Sequence, residues 1–157
     1  MISLVLFGET QKLRYVVDGD TVRFKNANCR LAFIDSPESK RNIKAQKDVA
    51  DCSNVLINDI VEAGRYSTRY LKSILIKGKT YEIDIIGRDR YEREICIIYS
   101  DGESVNEKIV KNGFAVPFWK YIKDPDVKQK MIGHIRHAKK HNKGIWRTHS
   151  NVMECMN

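Results

Sequence analysis

Two short acidic segments are the parts of this sequence whose residue types and spacing could do chemistry. Asp18-Gly19-Asp20-Thr21 lies at the junction of two strand-like segments, and Asp35-Ser36-Pro37-Glu38 closes a third. A small barrel can bring two such turns together, and Asp20 and Asp35 would then offer hard carboxylate oxygens. Such oxygens suit Ca²⁺ or Mg²⁺ and not zinc or copper, so the pair predicts a hard-cation site.

Glu38 and Arg30 would complete a hydrolytic site around that cation. Glu38 is a third carboxylate, three residues after Asp35, and is free to act as a base on a water molecule. Arg30 lies between the two turns and carries a planar fork of donors that suits a phosphate. Each of these two sequences alone is also common in hairpin turns or in turns that lead into a helix. Both turns with an arginine between them are a more specific signal.

The elements that must position these residues follow an α+β pattern. An apolar run at 2–7 continues into alternating Leu13, Tyr15 and Val17, and further strands are predicted at 22–24, 31–34, 79–86 and 93–99. Short, strongly turned strands of this kind suit a small Greek-key barrel such as an OB-fold.

Three helices are predicted around these strands. They cover about 60–75, a short segment beginning at Val105 and ending at Asn112-Gly113, and about 124–141, which begins at Asp124-Pro125. Residues 39–53 are polar and basic, and they predict a loop with partial helical character.

Composition and charge restrict the class of protein. Of the 157 residues, 42% are hydrophobic and 31% are charged, which excludes a disordered tail and a membrane protein. The longest uncharged runs have eight residues, whereas a spanning helix needs about 20. The net charge is +8, and residues 103–157 hold eleven basic and five acidic residues. This basic end suggests nucleic acid as a partner first and an anionic membrane surface second, against the alternative of a merely solvated basic surface.

The four cysteines are Cys29, Cys52, Cys96 and Cys155. Their spacing contains no CxxC pair and no neighbouring histidine, so zinc-ribbon and thioredoxin interpretations fail. Free cysteines packed as small hydrophobic groups and disulfide bonds both stay open. The N-terminus lacks the basic region of a signal peptide, which predicts an intracellular protein or the trimmed mature form of a secreted one.

Three histidines share one stretch of the last predicted helix, namely His134, His137 and His141. They could form a transition-metal site. The alternative is a basic helix face that attracts nucleic acid from a distance.

The chain resembles the staphylococcal nuclease (thermonuclease) family. The matching segments follow the order of the family's motifs across about residues 15–147, which is nearly the whole chain. They are Val17–Val22, Cys29–Leu31 with Ile34–Glu38, Asp89–Arg93, Val105–Glu107 with Val110 and Gly113–Ala115, and Ala138 with Gly144–Trp146.

This resemblance implies a five-stranded OB-fold barrel with about three helices in a domain of residues 1–147, followed by a short tail at 148–157. It also implies a monomeric Ca²⁺-dependent phosphodiesterase that acts on DNA and RNA and leaves 3′-phosphate and 5′-hydroxyl ends. The alternative is a catalytically weak or silent OB module that binds nucleic acid. The completeness of the motif carboxylates and arginines favours the enzyme.

The resemblance further implies individual roles. Asp20, Asp35 and the Ser36 carbonyl would bind Ca²⁺, Glu38 would act on water, and Arg30 and Arg93 would hold the phosphate. The remaining implied residues contact substrate or support the metal ligands: Arg90 and Tyr91 for the terminal phosphate, Trp119 and Tyr121 for the nucleotide, and Asp18 and Thr21 behind the metal.

Two positions depart from the family pattern. Ser36 replaces the usual threonine, which changes little because the ligand is a carbonyl. Glu92 replaces a glycine immediately before Arg93, and a side chain disfavours positive φ. Glu92 therefore predicts activity below that typical of the family.

Overall fold

A closed five-stranded barrel forms the centre of the molecule. The computed structural model describes residues 8–157, so the strand predicted at 2–7 lies outside the described residues. The strands are β1 (Glu9–Asp18), β2 (Thr21–Phe24), β3 (Asn28–Leu31), β4 (Ile34–Asp35), β5 (Thr80–Arg88), β6 (Glu94–Ser100), β7 (Glu103–Ser104) and β8 (Val116–Pro117). The order β3-β2-β1-β5-β6 is closed by a parallel pairing of β3 with β6, which confirms the α+β OB-fold.

Alternating side chains divide the barrel into an inner and an outer face. Val22, Phe24, Cys29 and Leu31 are at most 1% exposed and fill the barrel. Arg30 lies between two of these buried residues, so the alternation of β3 directs it to the outer face. The pattern that builds the core thus also presents a phosphate-binding candidate on the surface.

Six α-helices surround the barrel in the described residues. They are α1 (Ile43–Asp51), α2 (Ile57–Ile74), α3 (Val105–Lys111), α4 (Pro125–Lys140), α5 (Ile145–Thr148) and α6 (Ser150–Met156). The three predicted helices are confirmed as α2, α3 and α4, and the predicted cap Asp124 accepts a hydrogen bond from the Asp126 amide.

The count of three helices was too low because α1, α5 and α6 were not recognised as helices from the sequence. Helix α1 lies within the segment predicted as a loop with partial helical character, and Ala45 is its one buried residue. A helix that buries so little apolar surface is not stable alone and depends on its cap and on docking against α2. Helix α6 lies in the segment 148–157, where Val152 and Met153 are buried.

All four cysteines form disulfide bonds, one between Cys29 and Cys96 and one between Cys52 and Cys155. The first joins β3 to β6 across the parallel closure of the barrel. The second joins the end of α1 to α6. Of the two alternatives left open by the spacing, the structure contains the disulfides. In residues 8–157, no helix is both long enough and apolar enough to span a bilayer.

Candidate active site

The two acidic turns meet at one edge of the barrel, and we call residues 18–21 and 35–38 the acidic corner. Arg30 connects them: its Nη1 lies 3.6 Å from Oδ2 of Asp20, and its Nη2 lies 3.4 Å from Oδ1 of Asp35. The Ser36 amide also donates to Oδ2 of Asp20 at 3.3 Å. Residues distant along the chain thus share one cluster of charges.

Small residues on α2 explain how the two turns approach each other. A Cβ atom at Gly19 would overlap the side chain of Ser67 and lie 2.8 Å from Oγ of Ser36. A Cβ atom at Gly64 would collide with the backbone of Glu38 and Ser39. The missing side chains at positions 19 and 64 therefore allow both acidic turns to rest on the same helix.

Glu38 is held at the rim of the acidic corner. Its side chain is 19% exposed, so water can reach it. Asn42 donates from Nδ2 to Oε2 of Glu38 at 2.6 Å and accepts from the Ala45 amide at 2.8 Å, which caps α1. Lys44 places its Nζ 3.1 Å from Oε1 of Glu38. Sequence reasoning missed Asn42 and Lys44 because they belong to no motif and lie in the segment predicted as a loop.

The aspartates of the acidic corner have different proton affinities. Burial and the neighbouring charge of Asp20 raise the pKa of Asp18 to about 7. Burial also opposes the charge on Asp20, but Arg30 and the hydrogen bonds from Asp18 and Thr21 prevail and lower the Asp20 pKa. Burial raises the pKa of Asp35 despite Lys44 and Arg30. The surroundings thus favour the charged form of Asp20 and disfavour the charged forms of Asp18 and Asp35.

Arg93 lies at the end of a separate segment, residues 87–93, which we call the arginine loop. Its Nε donates to Oδ2 of Asp89 at 2.7 Å, and Oδ1 of Asp89 accepts from the amides of Tyr91 and Arg93 at 2.9 and 3.0 Å. Glu92 has φ of 60°, the left-handed conformation that the family glycine would adopt freely. The side chain at position 92 is therefore accommodated at a cost in backbone energy.

The barrel closure relates Arg93 to Arg30. In the parallel β3–β6 ladder, Arg30 is opposite Ile95, and Cys96 lies inside the barrel. Because side chains alternate, Ile95 and Arg30 both point away from the inner face that holds Cys96. Arg93 directly precedes β6, whose first residue, Glu94, is opposite Cys29, so the arginine loop enters the barrel next to β3.

The predicted substrate contacts differ in their exposure. Tyr91 is 65% exposed, with the guanidinium carbons of Arg90 and Arg93 at 5.0 and 5.5 Å from its ring centroid. Tyr121 is 57% exposed. Trp119 is half-buried against the core, and its Nε1 donates to Asn157 at 3.1 Å. Tyr91 and Tyr121 are therefore more available than Trp119 for stacking.

Phe118 lies beside two of the predicted site residues, although no motif of the sequence identifies it. Its ring centroid lies 5.7 Å from Cζ of Arg30 and 4.7 Å from the ring of Tyr121 in an edge-to-face contact. Phe118 thus connects the phosphate-binding candidate to the exposed tyrosine. Its position directly before Trp119 was the available signal.

The three histidines of α4 do not form one cluster. His134 contacts Oε1 of Glu107 at 2.9 Å, whereas His137 and His141 approach each other with ring centroids 4.6 Å apart. Across residues 8–157, no three His, Cys, Asp or Glu side chains are already arranged as metal ligands. The carboxylates of the acidic corner instead contact Arg30 and Lys44.

Comparisons with known proteins show which family and which relatives the chain resembles. The family described as Staphylococcal nuclease homologue matches residues 28–148. Endonuclease YhcR of Bacillus subtilis (strain 168) is 30% identical over 149 residues, covering 88% of this chain and 11% of that protein. An uncharacterized endonuclease of Escherichia coli O157:H7 is 31% identical over 136 residues, covering 83% of this chain and 72% of that protein.

A third relative carries a different name. Succinoglycan biosynthesis protein ExoI of Rhizobium meliloti (strain 1021) is 28% identical over 133 residues, with coverage of 84% of this chain and 62% of that protein. The chain thus spans about a ninth of the Bacillus protein and a larger share of the other two. The match over residues 28–148, together with the barrel and its acidic corner, establishes that the chain belongs to the family of staphylococcal nuclease homologues.

Proposed function

We propose that this protein is a nuclease that hydrolyses phosphodiester bonds of DNA, RNA or both in a Ca²⁺-dependent reaction. The observation that carries the proposal is the acidic corner, where one guanidinium, that of Arg30, lies against both Asp20 and Asp35. The endonuclease names of two relatives support the same reaction class.

The donors of the acidic corner fit a hard divalent cation. Asp20 and Asp35 offer carboxylate oxygens and Ser36 offers a carbonyl, while no sulfur or imidazole ligand is part of the set. Asp18 and Thr21 support it, since Asp18 accepts from the Asp20 amide and Thr21 donates to Oδ1 of Asp20. When bound, Ca²⁺ would polarise a phosphate oxygen as a Lewis acid.

The side chains of the chain supply the remaining chemistry. Glu38 takes a proton from a water molecule as the water oxygen bonds to phosphorus. The bond between phosphorus and the 5′ oxygen breaks, and that oxygen takes a proton from solvent, which leaves a 3′-phosphate and a 5′-hydroxyl. Arg30 and Arg93 stabilise the negative charge that accumulates on the phosphate oxygens. Each arginine is already oriented by an aspartate, so little reorganisation is needed.

Exposed aromatic and basic groups would hold the nucleic acid. Tyr91 and Tyr121 offer accessible ring faces, and stacking on such rings contributes about 1–3 kcal/mol per base. Arg90 lies beside Tyr91 and can contact a terminal phosphate. The eleven basic residues of 103–157 would concentrate a polyanion near the site through sequence-independent attraction.

A digestion assay tests this function. Labelled single- and double-stranded DNA and RNA are incubated with the protein in Ca²⁺ or in EGTA, and the product ends are identified by their need for phosphatase before extension. We expect cleavage only in Ca²⁺, and a loss of about 10²-fold or more in Glu38→Gln. Glu103→Gln, at an exposed position of β7, should retain wild-type activity.

Two results would argue against the nuclease. Binding of nucleic acid without cleavage in Ca²⁺ would favour a catalytically silent OB module. Equal cleavage by wild type and Glu38→Gln would exclude Glu38 as the base.

A further inference from the structure

Lys44 is a cation inside the acidic corner that no motif of the sequence identifies. It projects from α1, and its Nζ lies 3.2 Å and 3.4 Å from the two carboxylate oxygens of Asp35 and 3.1 Å from Oε1 of Glu38. One ammonium group therefore contacts both a candidate metal ligand and the candidate base.

The charges of the corner explain why an ammonium group is held there. Asp18, Asp20, Asp35 and Glu38 bring four carboxyl groups to one site, and neighbouring carboxylates disfavour each other's charged form. Arg30 lies against Asp20 and Asp35, which leaves Glu38 without a guanidinium contact among the ion pairs found in residues 8–157. Lys44 supplies the second positive charge on that side of the corner.

The two cations of the corner differ in how firmly they are held. Arg30 rises from a barrel strand, is 16% exposed, and also donates to the Ile34 carbonyl at 3.2 Å. Lys44 is 43% exposed and sits on a flexible four-carbon stem. Its helix contributes Ala45 alone to the buried core. Lys44 can therefore leave the carboxylates without disturbing the barrel, whereas Arg30 cannot.

We propose that Lys44 is a resident counter-ion that occupies Asp35 and Glu38 in the metal-free protein, and that a divalent cation must displace its ammonium group in order to bind. This inference rests on the proposed Ca²⁺ site. A divalent cation bound to Asp35 would repel the Lys44 ammonium group on the same carboxylate, and Lys44, unlike Arg30, is free to move away, so the lysine and the metal compete. Lys44 thereby weakens metal binding and keeps the carboxylates in place until the metal arrives.

Calorimetric titration with CaCl₂ tests the competition without any reference to catalysis. We expect Lys44→Met to bind Ca²⁺ about tenfold more tightly than wild type, because the competing charge is gone while the aliphatic stem is kept. Lys44→Arg should bind with nearly wild-type affinity. The matched control is Lys47→Met, an exposed lysine on the same helix, which should differ from wild type by less than about twofold.

Thermal unfolding in EGTA gives a second readout. Lys44→Met should melt at a lower temperature than Lys47→Met, because Asp35 and Glu38 lose their counter-ion, and Ca²⁺ should raise its melting temperature more than that of wild type.

The outcomes separate failure of this inference from failure of the Ca²⁺ site. If Lys44→Met and Lys47→Met bind Ca²⁺ with the same affinity as wild type, the competition is wrong and the metal site stands. If neither wild type nor Lys44→Met binds Ca²⁺ in a folded state, the metal site itself is wrong and the competition falls with it.

Discussion

Two aspartates in different parts of the molecule have their proton affinities shifted in opposite directions. In the acidic corner, burial and the charge of Asp20 raise the pKa of Asp18 to about 7. In the arginine loop, burial also opposes the charge of Asp89, but hydrogen bonds from Arg93 and Tyr91 lower its pKa. The difference teaches that the charge of Asp89 is stabilised by its own loop, whereas the surroundings of Asp18 disfavour its charged form.

The two regions also differ in what supports them. The acidic corner rests on α2 through Gly64 and Ser67, and Ser67 in turn donates to the Phe114 carbonyl at 2.6 Å. The arginine loop is fastened by contacts within four residues of Asp89. We therefore expect damage to the corner to affect fold and activity together, and damage to the loop to affect activity with little change in stability.

Gly64→Ala breaks the support of the corner and has the largest expected effect. The new Cβ would push the backbone of Glu38 away from α2, so nuclease activity should fall about 10²-fold and the free energy of unfolding by about 1–3 kcal/mol. Activity assays and urea denaturation measure the two losses. Gly133→Ala in α4 is the matched control, since a Cβ there meets nothing within 4 Å. Equal activity and stability of Gly64→Ala and Gly133→Ala would contradict the close packing of the Glu38 backbone against α2.

Asp18→Asn tests the raised pKa that distinguishes the acidic corner from the arginine loop. The folded state holds the Asp18 proton up to a pKa of about 7, above the ordinary value of 3.8, so wild-type stability is lost as the pH rises between these values. In EGTA, we expect the free energy of unfolding of Asp18→Asn to equal that of wild type near pH 4. At pH 8 it should be larger than that of wild type by about 1–3 kcal/mol. Urea denaturation across this range measures the difference. Asp101→Asn, at an exposed turn, should show no such trend, and a constant difference for Asp18→Asn would exclude the raised pKa.

Asp89→Ala breaks the arginine loop without touching the corner. Arg93 would lose its ion pair and the loop its two amide contacts, so we expect kcat to fall about tenfold while the free energy of unfolding changes by less than about 1 kcal/mol. Asp89→Asn keeps an acceptor for the amides and removes the charge, which separates loop support from the ion pair. Unchanged kcat in Asp89→Ala would show that Arg93 needs no orientation by Asp89.

Glu92→Gly is expected to have the smallest effect, in the opposite direction. Glycine adopts the φ of 60° found at position 92 without a Cβ penalty, which should stabilise the fold by a few tenths to about 1 kcal/mol after the entropy of the unfolded glycine is counted. Nuclease activity should rise about two- to threefold. Glu92→Gln removes the charge and keeps the backbone strain. If Glu92→Gln gains as much stability and activity as Glu92→Gly, the charge of Glu92 and not its backbone conformation causes the effect.

The sequence predicted those features that depend on residue type and on the alternation of apolar residues. The barrel follows from alternating residues such as Val22 and Phe24, and the convergence of the acidic turns follows from closing that barrel. Helix α1 was not predictable in the same way, because it buries little more than Ala45. The contacts of Asn42 and Lys44 with Glu38 depend on that helix, so the sequence did not predict them either.

Two other features needed the three-dimensional structure for different reasons. The small residues Gly64 and Ser67 share one face of α2, but the sequence does not say which backbone rests on that face. Cysteine pairing was also out of reach, since four cysteines allow three connectivities and free thiols were equally compatible with the spacing.

The connectivity of the cysteines has a consequence for the protein after it has lost its structure. Cys52 lies inside the loop closed by Cys29 and Cys96, and Cys96 lies inside the loop closed by Cys52 and Cys155. An oxidised chain that is denatured therefore keeps two interleaved rings and cannot expand as a reduced chain does. Urea should accordingly expose less new surface in the oxidised protein, and its m value should be smaller than that of the reduced protein.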